Sequence, residues 1–254
     1  MQKNPQTEKE FLREYDSSVF KSPITTVDTV IFTVIDDHLH VLTVKRAEHP
    51  YKASWALVGG FIDIDRDDNI ELTAKRKLFE KTGVKTPYLE QFCVIGNNKR
   101  DPRGWSVTAV YFALISSINV QLQSGKDVTD IKWTKVIGGK VKDKLAFDHA
   151  KILLDCYGRL RNKVLYTSLP IYLMPQYFTL GELQNVYEVI LNQKIEHKSF
   201  RRRILNADIL FETNEMRRDG KRPAQLYSIK KNHPTHFFVR NIEGVNLSEQ
   251  IAQV

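Results

Sequence analysis

The chain has 254 residues, of which 42% are hydrophobic and 27% are charged, and its formal net charge is +8. This length suits one large domain or two small ones, and no apolar run reaches the roughly 18 residues that predict a transmembrane helix. The polar residues 1–16 lack the apolar run of a signal peptide. Cys93 and Cys156 lack the spacing of metal ligands. We therefore expect a cytoplasmic protein with reduced, buried thiols and no membrane segment.

The first 140 residues predict several strands and one long helix. Apolar, β-branched segments that predict strands occur twice within 27–45, around a turn at 36–38, and again at 55–62, 88–96, 106–115 and 129–137. An amphipathic helix is expected from about 69 to 82, with Gly83 as its stop signal. This alternation predicts an α/β or α+β domain with a mixed sheet between helices.

A second helix, 148–164, carries Ile152, Leu153 and Cys156 on one side, and we interpret it as a connector that tethers two domains. The expected boundaries are a first domain at 1–145, a connector at 146–166 and a second domain at 167–254.

The second domain predicts two helices followed by a hairpin. In the segment 178–191, Thr179 is a suitable N-cap and Glu182 completes a capping box. A turn leads to a helix at 198–207, and the segment 209–229 contains the hairpin signal Asp219-Gly220. Two helices followed by a two-stranded wing are typical of a winged helix-turn-helix.

The first long helix has an unusual charge pattern on one face. Lys77, Glu80 and Lys81 have i, i+3, i+4 spacing and therefore share a face. Mg²⁺ is bound by oxygen ligands, usually carboxylates, waters and substrate phosphates. With two lysines and one glutamate, this face repels a divalent cation and attracts the phosphates that such a cation would bridge.

The segment GGFIDIDRDDNIELTAKRKLFEKTGV resembles a degenerate Nudix box, which predicts the Nudix fold. Matching positions are Gly60, Arg76, Leu78, Glu80, Gly83 and Val84. Lys77 and Lys81 stand where metal-binding glutamates are usual, and the loop before Arg76 is two residues longer. The early glutamate has no certain counterpart among Asp65, Asp67 and Asp68. These departures argue against metal-dependent hydrolysis, so we predict no metal site and no catalytic residue.

A second loop, KRDPRGW, supports ligand binding. Arg100 and Arg103 flank an Asp-Pro turn, and arginine forks suit the oxygens of a pyrophosphate. Together with KRAEHPYKASWALVGGF, this loop resembles Nudix domains that bind ADP-ribose. The resemblance implies the ligand-binding residues Arg46, Trp55, Gly60, Phe61, Glu80, Arg100, Asp101 and Arg103.

The basic charge is concentrated in the second domain. Residues 194–231 contain eleven Lys and Arg against five Asp and Glu, a net charge of +6. On the helix 198–207, Phe200, Ile204 and Ala207 form an apolar stripe opposite Lys198, Arg202 and Asn206. Arg and Asn suit base edges, and Lys and Arg suit phosphates. The predicted DNA-binding residues are Thr179, Lys198, Arg201, Arg202, Arg203, Asn206, Arg217, Arg218, Lys221 and Arg222.

Taken together, the chain resembles the Nudix-related transcriptional regulators of NAD metabolism, the NrtR family, from about residue 28 to 230. The resemblance implies a cytoplasmic, homodimeric bacterial repressor of NAD synthesis or salvage genes. It also implies that the protein senses ADP-ribose as effector, needs no other cofactor and binds double-stranded operator DNA. Two alternatives remain: an active Nudix pyrophosphohydrolase of ADP-ribose or a related dinucleotide, and an RNA-binding protein with a decayed Nudix fold.

Overall fold

The computed structural model of the chain describes residues 7–83, 85, 88–118, 120–123, 127–218, 223–230 and 235–238. The strands are β1 (Ile24–Ile35), β2 (His38–Arg46), β3 (Trp55–Ala56), β4 (Val58–Phe61), β5 (Tyr88–Asn97), β6 (Ser106–Leu114), β7 (Val128–Lys135), β8 (Leu210–Arg217) and β9 (Ala224–Ile229). The α-helices are α1 (Glu8–Glu14), α2 (Ile70–Thr82), α3 (His149–Tyr166), α4 (Leu180–Leu191) and α5 (His197–Asn206). Short 3₁₀ turns lie at Ser17–Val19 and Leu169–Leu173.

Seven strands form one mixed sheet, as the sequence predicts. Its order is β3-β2-β1-β6-β5, with β4 also paired to β1 and β7 to β2. Only the β1–β6 pair is parallel among the strand pairs that the structure describes. The first part of β1 pairs with β4, and its last part pairs with β2. Strand β1 therefore changes its antiparallel partner near its middle, next to the glycines of β4.

Alternate residues of β1 face opposite sides of the sheet, and each side is covered by a helix. Val27 packs with Ala74 of α2, whereas Val30 packs with Ile152 and Cys156 of α3. The mixed sheet thus lies between helices, which confirms the predicted Nudix architecture.

The ends of α2 follow from local chemistry. The side chain of Asn69 accepts a hydrogen bond from the amide of Leu72 and caps the first turn. Gly83 ends the helix with φ of 67°, a left-handed conformation that favours glycine. The hairpin turn between β1 and β2 likewise uses positive φ at Asp36 and Asp37, residues that tolerate this region better than most. These boundaries agree with the sequence-based predictions.

The second unit is a winged helix-turn-helix. Thr179 and Glu182 form the predicted reciprocal capping box at the start of α4. Tyr187 of α4 packs edge-on against Phe200 of α5, with ring centroids 5.2 Å apart. Strands β8 and β9 pair antiparallel, whereas the predicted hairpin tip at 219–220 lies outside the described residues. The two-helix and wing pattern is confirmed.

The two units share one continuous core, which corrects the prediction of a tether by α3 alone. Leu160 and Val164 of α3 belong to the same buried cluster as Leu183 of α4. Beyond α3, the ring of Tyr88 stacks on that of Tyr172 with centroids 5.2 Å apart. The pattern of polar and apolar residues in 148–164 could not predict these contacts, because they are made by the start of β5 and by the turn after α3.

One segment differs from the sequence-based expectation in a simpler way. The helix α1 was not predicted, although its capping box at Thr7 and Glu10 is fully formed. No helix within the described part of the chain has the length and apolar character needed to cross a lipid bilayer.

Candidate functional site

A cleft of about 620 Å³ opens beside β4, between α2 and the start of α3. Its volume lies within the roughly 300–1,000 Å³ typical of small-molecule sites. Seven of the eight predicted ligand-binding residues line it: Arg46, Gly60, Phe61, Glu80, Arg100, Asp101 and Arg103. The structure therefore brings together residues from four separate segments of the sequence.

Neighbouring groups approach the backbone of the two glycines of β4 closely, and at Gly59 the neighbour is itself backbone. A Cβ atom on Gly59 would lie 2.4 Å from the backbone oxygen of Val27. A Cβ atom on Gly60 would lie 2.8 Å from Cε of Lys77. The side chain of Lys77 thus lies directly against the backbone of Gly60, at the cleft surface.

Glu80 projects from α2 towards the cleft with two cations beside it. Arg76 Nη1 lies 3.1 Å from one carboxylate oxygen of Glu80, and Lys77 Nζ lies 3.4 Å from the other. Burial raises the pKa of Glu80, but the hydrogen bond from Arg76 and the charge of Lys77 outweigh burial and bring that pKa below its usual value. Glu80 is therefore ionised, and its charge is already balanced.

Asp67 holds Arg76 in place from the long loop before α2. Arg76 donates to the Asp67 carboxylate from Nη2 at 2.6 Å and from Nε at 2.9 Å, and the hydroxyl of Thr73 donates to it at 2.8 Å. The hydrogen bond from Arg76 is the main reason that the pKa of Asp67 lies far below its usual range. Asp67 therefore supports the α2 face without lining the cleft.

Lys81 is the second cation that replaces an acidic residue of the Nudix box. It is buried, and its Nζ atom lies 3.4 Å from Oδ1 of Asp127. Among the residues that the structure describes, no three His, Cys, Asp or Glu side chains are grouped so that they could hold a metal ion. Mg²⁺ requires an octahedral set of oxygen ligands. The residues of this face do not fit that cation, and their two ammonium groups fit an anion instead.

Arg100 lies at the inner end of the cleft between two carboxylates. Its Nη2 atom lies 3.1 Å from Asp28 Oδ2 and 3.1 Å from Asp148 Oδ1, and its Nε atom lies 3.1 Å from Asp148 Oδ2. The side chains of Arg100 and Asp28 are 5% and 9% exposed. Arg100 is therefore a buried cation that still contributes to the surface of the cleft.

His149, the first residue of α3, joins this network to β4. Its Nδ1 atom accepts a hydrogen bond of 2.9 Å from the amide of Leu57. Burial lowers the pKa of His149, although the charge of Asp28 opposes the shift. The imidazole is therefore neutral with its proton on Nε2, which lies 3.5 Å from Oδ1 of Asp28. His149 fixes the start of α3 against the strand that carries the glycines.

The opposite edge of the cleft combines aromatic rings with arginines. Arg103 pairs with Asp101 at 2.7 Å and lies over the ring of Phe61, 5.2 Å from its centroid. Arg46 lies over the ring of Phe147 at 4.9 Å. Planar guanidinium groups over rings can accept a further flat group and still donate to phosphate oxygens. This edge suits a ligand that has both a planar base and phosphates.

Trp55 is the predicted ligand-binding residue that the structure does not bring to the cleft. Strand pairing sets Val44 opposite Ala56 and Lys45 opposite Trp55, and side chains alternate between the faces of a sheet. Val44 and Ala56 line the cleft, so Trp55 faces the other side. Its ring packs under Lys132, whose Nζ lies 3.9 Å from the ring centroid. We therefore correct the prediction that Trp55 contributes to the cleft.

Sequence reasoning missed three residues of the inner network: Asp28, Asp148 and His149. A signal for Asp28 was present, because it is a charged residue inside the apolar segment VDTVIF, and such a residue is rarely buried without a partner. Asp148 and His149 gave no comparable signal, since their partners are distant in the sequence.

The recognition helix α5 has the predicted division into two faces. Phe200 and Ile204 are fully buried and Ala207 is nearly so. The residues that α5 exposes include four of the predicted DNA-binding residues, Lys198, Arg201, Arg202 and Asn206, whereas Arg203 is half-buried. An exposed, basic helix face beside a hairpin wing has the charge and shape to enter a major groove.

Other predicted DNA-binding residues have structural partners. Thr179 is 9% exposed and its hydroxyl takes part in the capping box with Glu182. Arg217 forms an ion pair with the same Glu182, so it joins the last residue of β8 to α4. Arg218 is exposed. The predicted residues Lys221 and Arg222 lie outside the described residues.

Comparison with known proteins agrees with this division of the chain. The Nudix domain family matches residues 25–156, and the NrtR DNA-binding winged helix domain matches residues 170–229. A curated relative, the ADPR responsive transcriptional repressor NtrR of Acinetobacter baylyi, is 48% identical over 226 residues. That similarity covers 88% of this chain and 89% of the relative.

Solved structures give the same result for the whole chain. Shewanella oneidensis NrtR complexed with a 27mer DNA is 45% identical and has a TM-score of 0.80, covering 87% of this chain and 100% of that one. The NUDIX domain of Shewanella oneidensis NrtR complexed with ADP ribose is also 45% identical, with a TM-score of 0.55 over 61% of this chain and 99% of that one. The chain therefore belongs to the NrtR family, in which a Nudix domain is joined to a DNA-binding winged helix domain.

Proposed function

We propose that this protein is a transcriptional repressor that binds operator DNA through α5 and the wing, and that releases it when ADP-ribose binds in the cleft. The main support is the α2 face, where Lys77 and Lys81 place two ammonium groups beside the cleft. The same chain also carries a basic recognition helix. The similar Acinetobacter protein is named as an ADP-ribose responsive repressor. The target genes that we propose are those of NAD synthesis or salvage, and the proposed compartment is the cytoplasm.

The cleft has groups that can bind ADP-ribose but lacks, among the described residues, a group of carboxylates that could hold a metal ion for its hydrolysis. Lysine and arginine donate to pyrophosphate oxygens, and charge-assisted hydrogen bonds of this kind are about twice as strong as neutral ones. Glu80 is the acidic residue of the Nudix box that remains on the α2 face, and it is already paired with Arg76 and Lys77. We therefore propose that the site binds its ligand without a divalent cation and leaves the pyrophosphate intact.

We further propose that the protein acts as a homodimer. Two winged helices then read half-sites separated by about 34–36 Å, one turn of the duplex, or by a multiple of that distance. Because α3 and α4 share one core, a change in the sensor domain would reorient both readers relative to the half-sites.

The decisive experiment measures the coupling between the two ligands. Purified full-length protein is titrated with fluorescent operator fragment, selected from genomic DNA, in the absence and presence of saturating ADP-ribose at one fixed salt concentration. We expect a weakening equivalent to about 1–3 kcal/mol, and thermodynamic linkage requires operator DNA to weaken ADP-ribose binding by the same factor. Salt must be fixed because phosphate contacts make the affinity for DNA steeply salt-dependent.

A variant separates sensing from DNA binding. Arg103 lies on the cleft edge, far in sequence from α5, and its guanidinium lies over the Phe61 ring. Arg103→Ala should weaken ADP-ribose binding and leave operator binding unchanged when no effector is present. Equal operator affinity of the parent protein with and without ADP-ribose would refute the sensor function, however tightly each ligand binds alone.

A further inference from the structure

Asp148 has an unusual position at the start of α3. It is the N-cap residue of that helix, but its side chain accepts no hydrogen bond from the first helical turn. Aspartate is among the preferred N-cap residues because its carboxylate usually accepts from these amides. Here both carboxylate oxygens accept from Arg100 instead, at 3.1 Å each. The carboxylate thus has two alternative sets of donors, and the structure shows one of them in use.

Arg100 is the point at which the cleft reaches this carboxylate. It lines the cleft, and its single guanidinium serves both Asp28 and Asp148. An anionic ligand in the cleft adds a third acceptor for the same guanidinium. Phosphate oxygens compete well for a guanidinium because arginine binds them with paired hydrogen bonds.

Burial determines which of the two carboxylates loses its hydrogen bonds to Arg100. Asp28 is 9% exposed at its side chain and also has the Nε2 atom of His149 at 3.5 Å. Asp148 is 22% exposed at its side chain, and two residues further along the described chain the amide of Ala150 has no hydrogen-bond acceptor, whereas that of Lys151 donates to the Asp148 carbonyl at 3.0 Å. An uncompensated carboxylate costs more free energy where it is more buried. Asp148 is therefore the partner that leaves Arg100 when a ligand phosphate arrives.

Building on the proposed function, we infer that Asp148 is the positioning residue that transmits ligand binding to α3. In the DNA-binding state, its carboxylate holds Arg100. In the ligand-bound state, Arg100 donates to the ligand and the Asp148 carboxylate turns to cap the amide of Ala150. The first turn of α3 then tightens, and its axis shifts relative to the sheet.

Helix α3 is well placed to pass that shift to the DNA reader. Its first half packs under the sheet through Ile152 and Cys156, and its second half packs against α4 through Leu160 and Val164. Closely packed cores transmit displacement instead of absorbing it. A change at residue 148 therefore reaches the winged helix without any ligand contact to that domain.

Asp148→Ser tests the inference because serine can cap α3 but cannot hold Arg100. The variant should resemble the ligand-bound state even without ligand. Operator affinity should fall by the factor that ADP-ribose imposes on the parent, expected at about 5- to 150-fold. ADP-ribose should bind at least as tightly as in the parent, and the ratio of operator affinities with and without it should approach one. Asp155→Asn is the matched control, since Asp155 lies on α3 but pairs outward with Lys151 at 2.9 Å; its ratio should equal that of the parent.

The outcomes distinguish this inference from the proposed function. If the parent responds to ADP-ribose and Asp148→Ser responds equally, the inference is wrong and the proposed function stands. If the parent does not respond, both are wrong. Should Asp148→Ser fail to fold, hydrogen exchange on the parent decides the question. ADP-ribose should slow exchange at the amide of Ala150, and unchanged exchange there would refute the switch.

Discussion

The strongest test of the cleft is the replacement of Lys77 by methionine, which removes the charge and keeps the length of the side chain. The ammonium group of Lys77 lies over the backbone of Gly60 and 3.4 Å from Glu80. A hydrogen bond to a charged group contributes about 1.5–3 kcal/mol. If Lys77 donates one such bond to the pyrophosphate, Lys77→Met should weaken ADP-ribose binding by about 10- to 150-fold.

The effect on folding should be small by comparison. Lys77 and Glu80 form an i, i+3 pair whose side chains are 18% and 36% exposed, and helical pairs of this kind contribute about 0.3–0.5 kcal/mol. The variant should therefore keep nearly the whole free energy of unfolding. Lys75→Met is the matched control, because Lys75 lies on the same helix but pairs with Glu71 outside the cleft.

Isothermal titration calorimetry in the presence of EDTA measures both the affinity and its independence of divalent cations. We expect the parent and Lys75→Met to bind ADP-ribose equally and Lys77→Met to bind it much more weakly. Parent-like binding by Lys77→Met would refute a role for this ammonium group. Binding by the parent that requires Mg²⁺ would refute the argument that lysines replace the metal.

Three further outcomes are expected. With Mg²⁺ or Mn²⁺, turnover of ADP-ribose should be far below the median enzyme rate of about 10 per second; product formation at ordinary rates in a chromatographic assay would favour the hydrolase alternative. Arg202→Ala should cost roughly 1–3 kcal/mol of operator binding and relax sequence preference, whereas Arg218→Ala should lower the salt dependence of the operator affinity by about one unit of slope. Parent-like binding by both variants would exclude α5 and the wing as the DNA-binding surface. Burial lowers the pKa of His149 below 6.5, so the unfolded chain binds a proton at this imidazole more readily than the folded chain does. The stabilisation that comes from the neutral imidazole is therefore complete above pH 6.5 and is lost as pH falls through the lower folded value. The free energy of unfolding in urea should thus fall less steeply below pH 6.5 in His149→Asn than in the parent, by at most about 1.4 kcal/mol per pH unit; equal slopes would show that His149 is not buried in its neutral form.

The regular elements were predictable because their signals are local. The α2 boundaries depend on a capping asparagine and a left-handed glycine, and the start of α4 depends on a capping box, so each end is encoded within four residues. The stripe formed by Phe200 and Ile204 likewise follows from helical periodicity alone. Features of this kind need no knowledge of distant residues.

The site was predictable only where its residues lie in a recognisable segment. Seven predicted ligand-binding residues come from β2, β4, α2 and the KRDPRGW loop, and they line the cleft. Trp55 was misplaced because one position along a strand reverses the face to which a side chain points. The strand register around β3 could not be read from a segment of two residues.

The buried inner network shows what the sequence could not reveal. Arg100 is separated from Asp28 by 72 positions and from Asp148 by 48, and no periodicity links such residues. The sequence identified Arg100 as an exposed phosphate-binding group on a turn, whereas the structure makes it a buried cation shared by two carboxylates. That difference changes its expected role, because a buried arginine that already serves two carboxylates binds a ligand in competition with those partners. The more exposed partner, Asp148, is the N-cap residue of α3, so the hydrogen bonds that hold Arg100 also connect the ligand site to the helix that packs against the DNA reader.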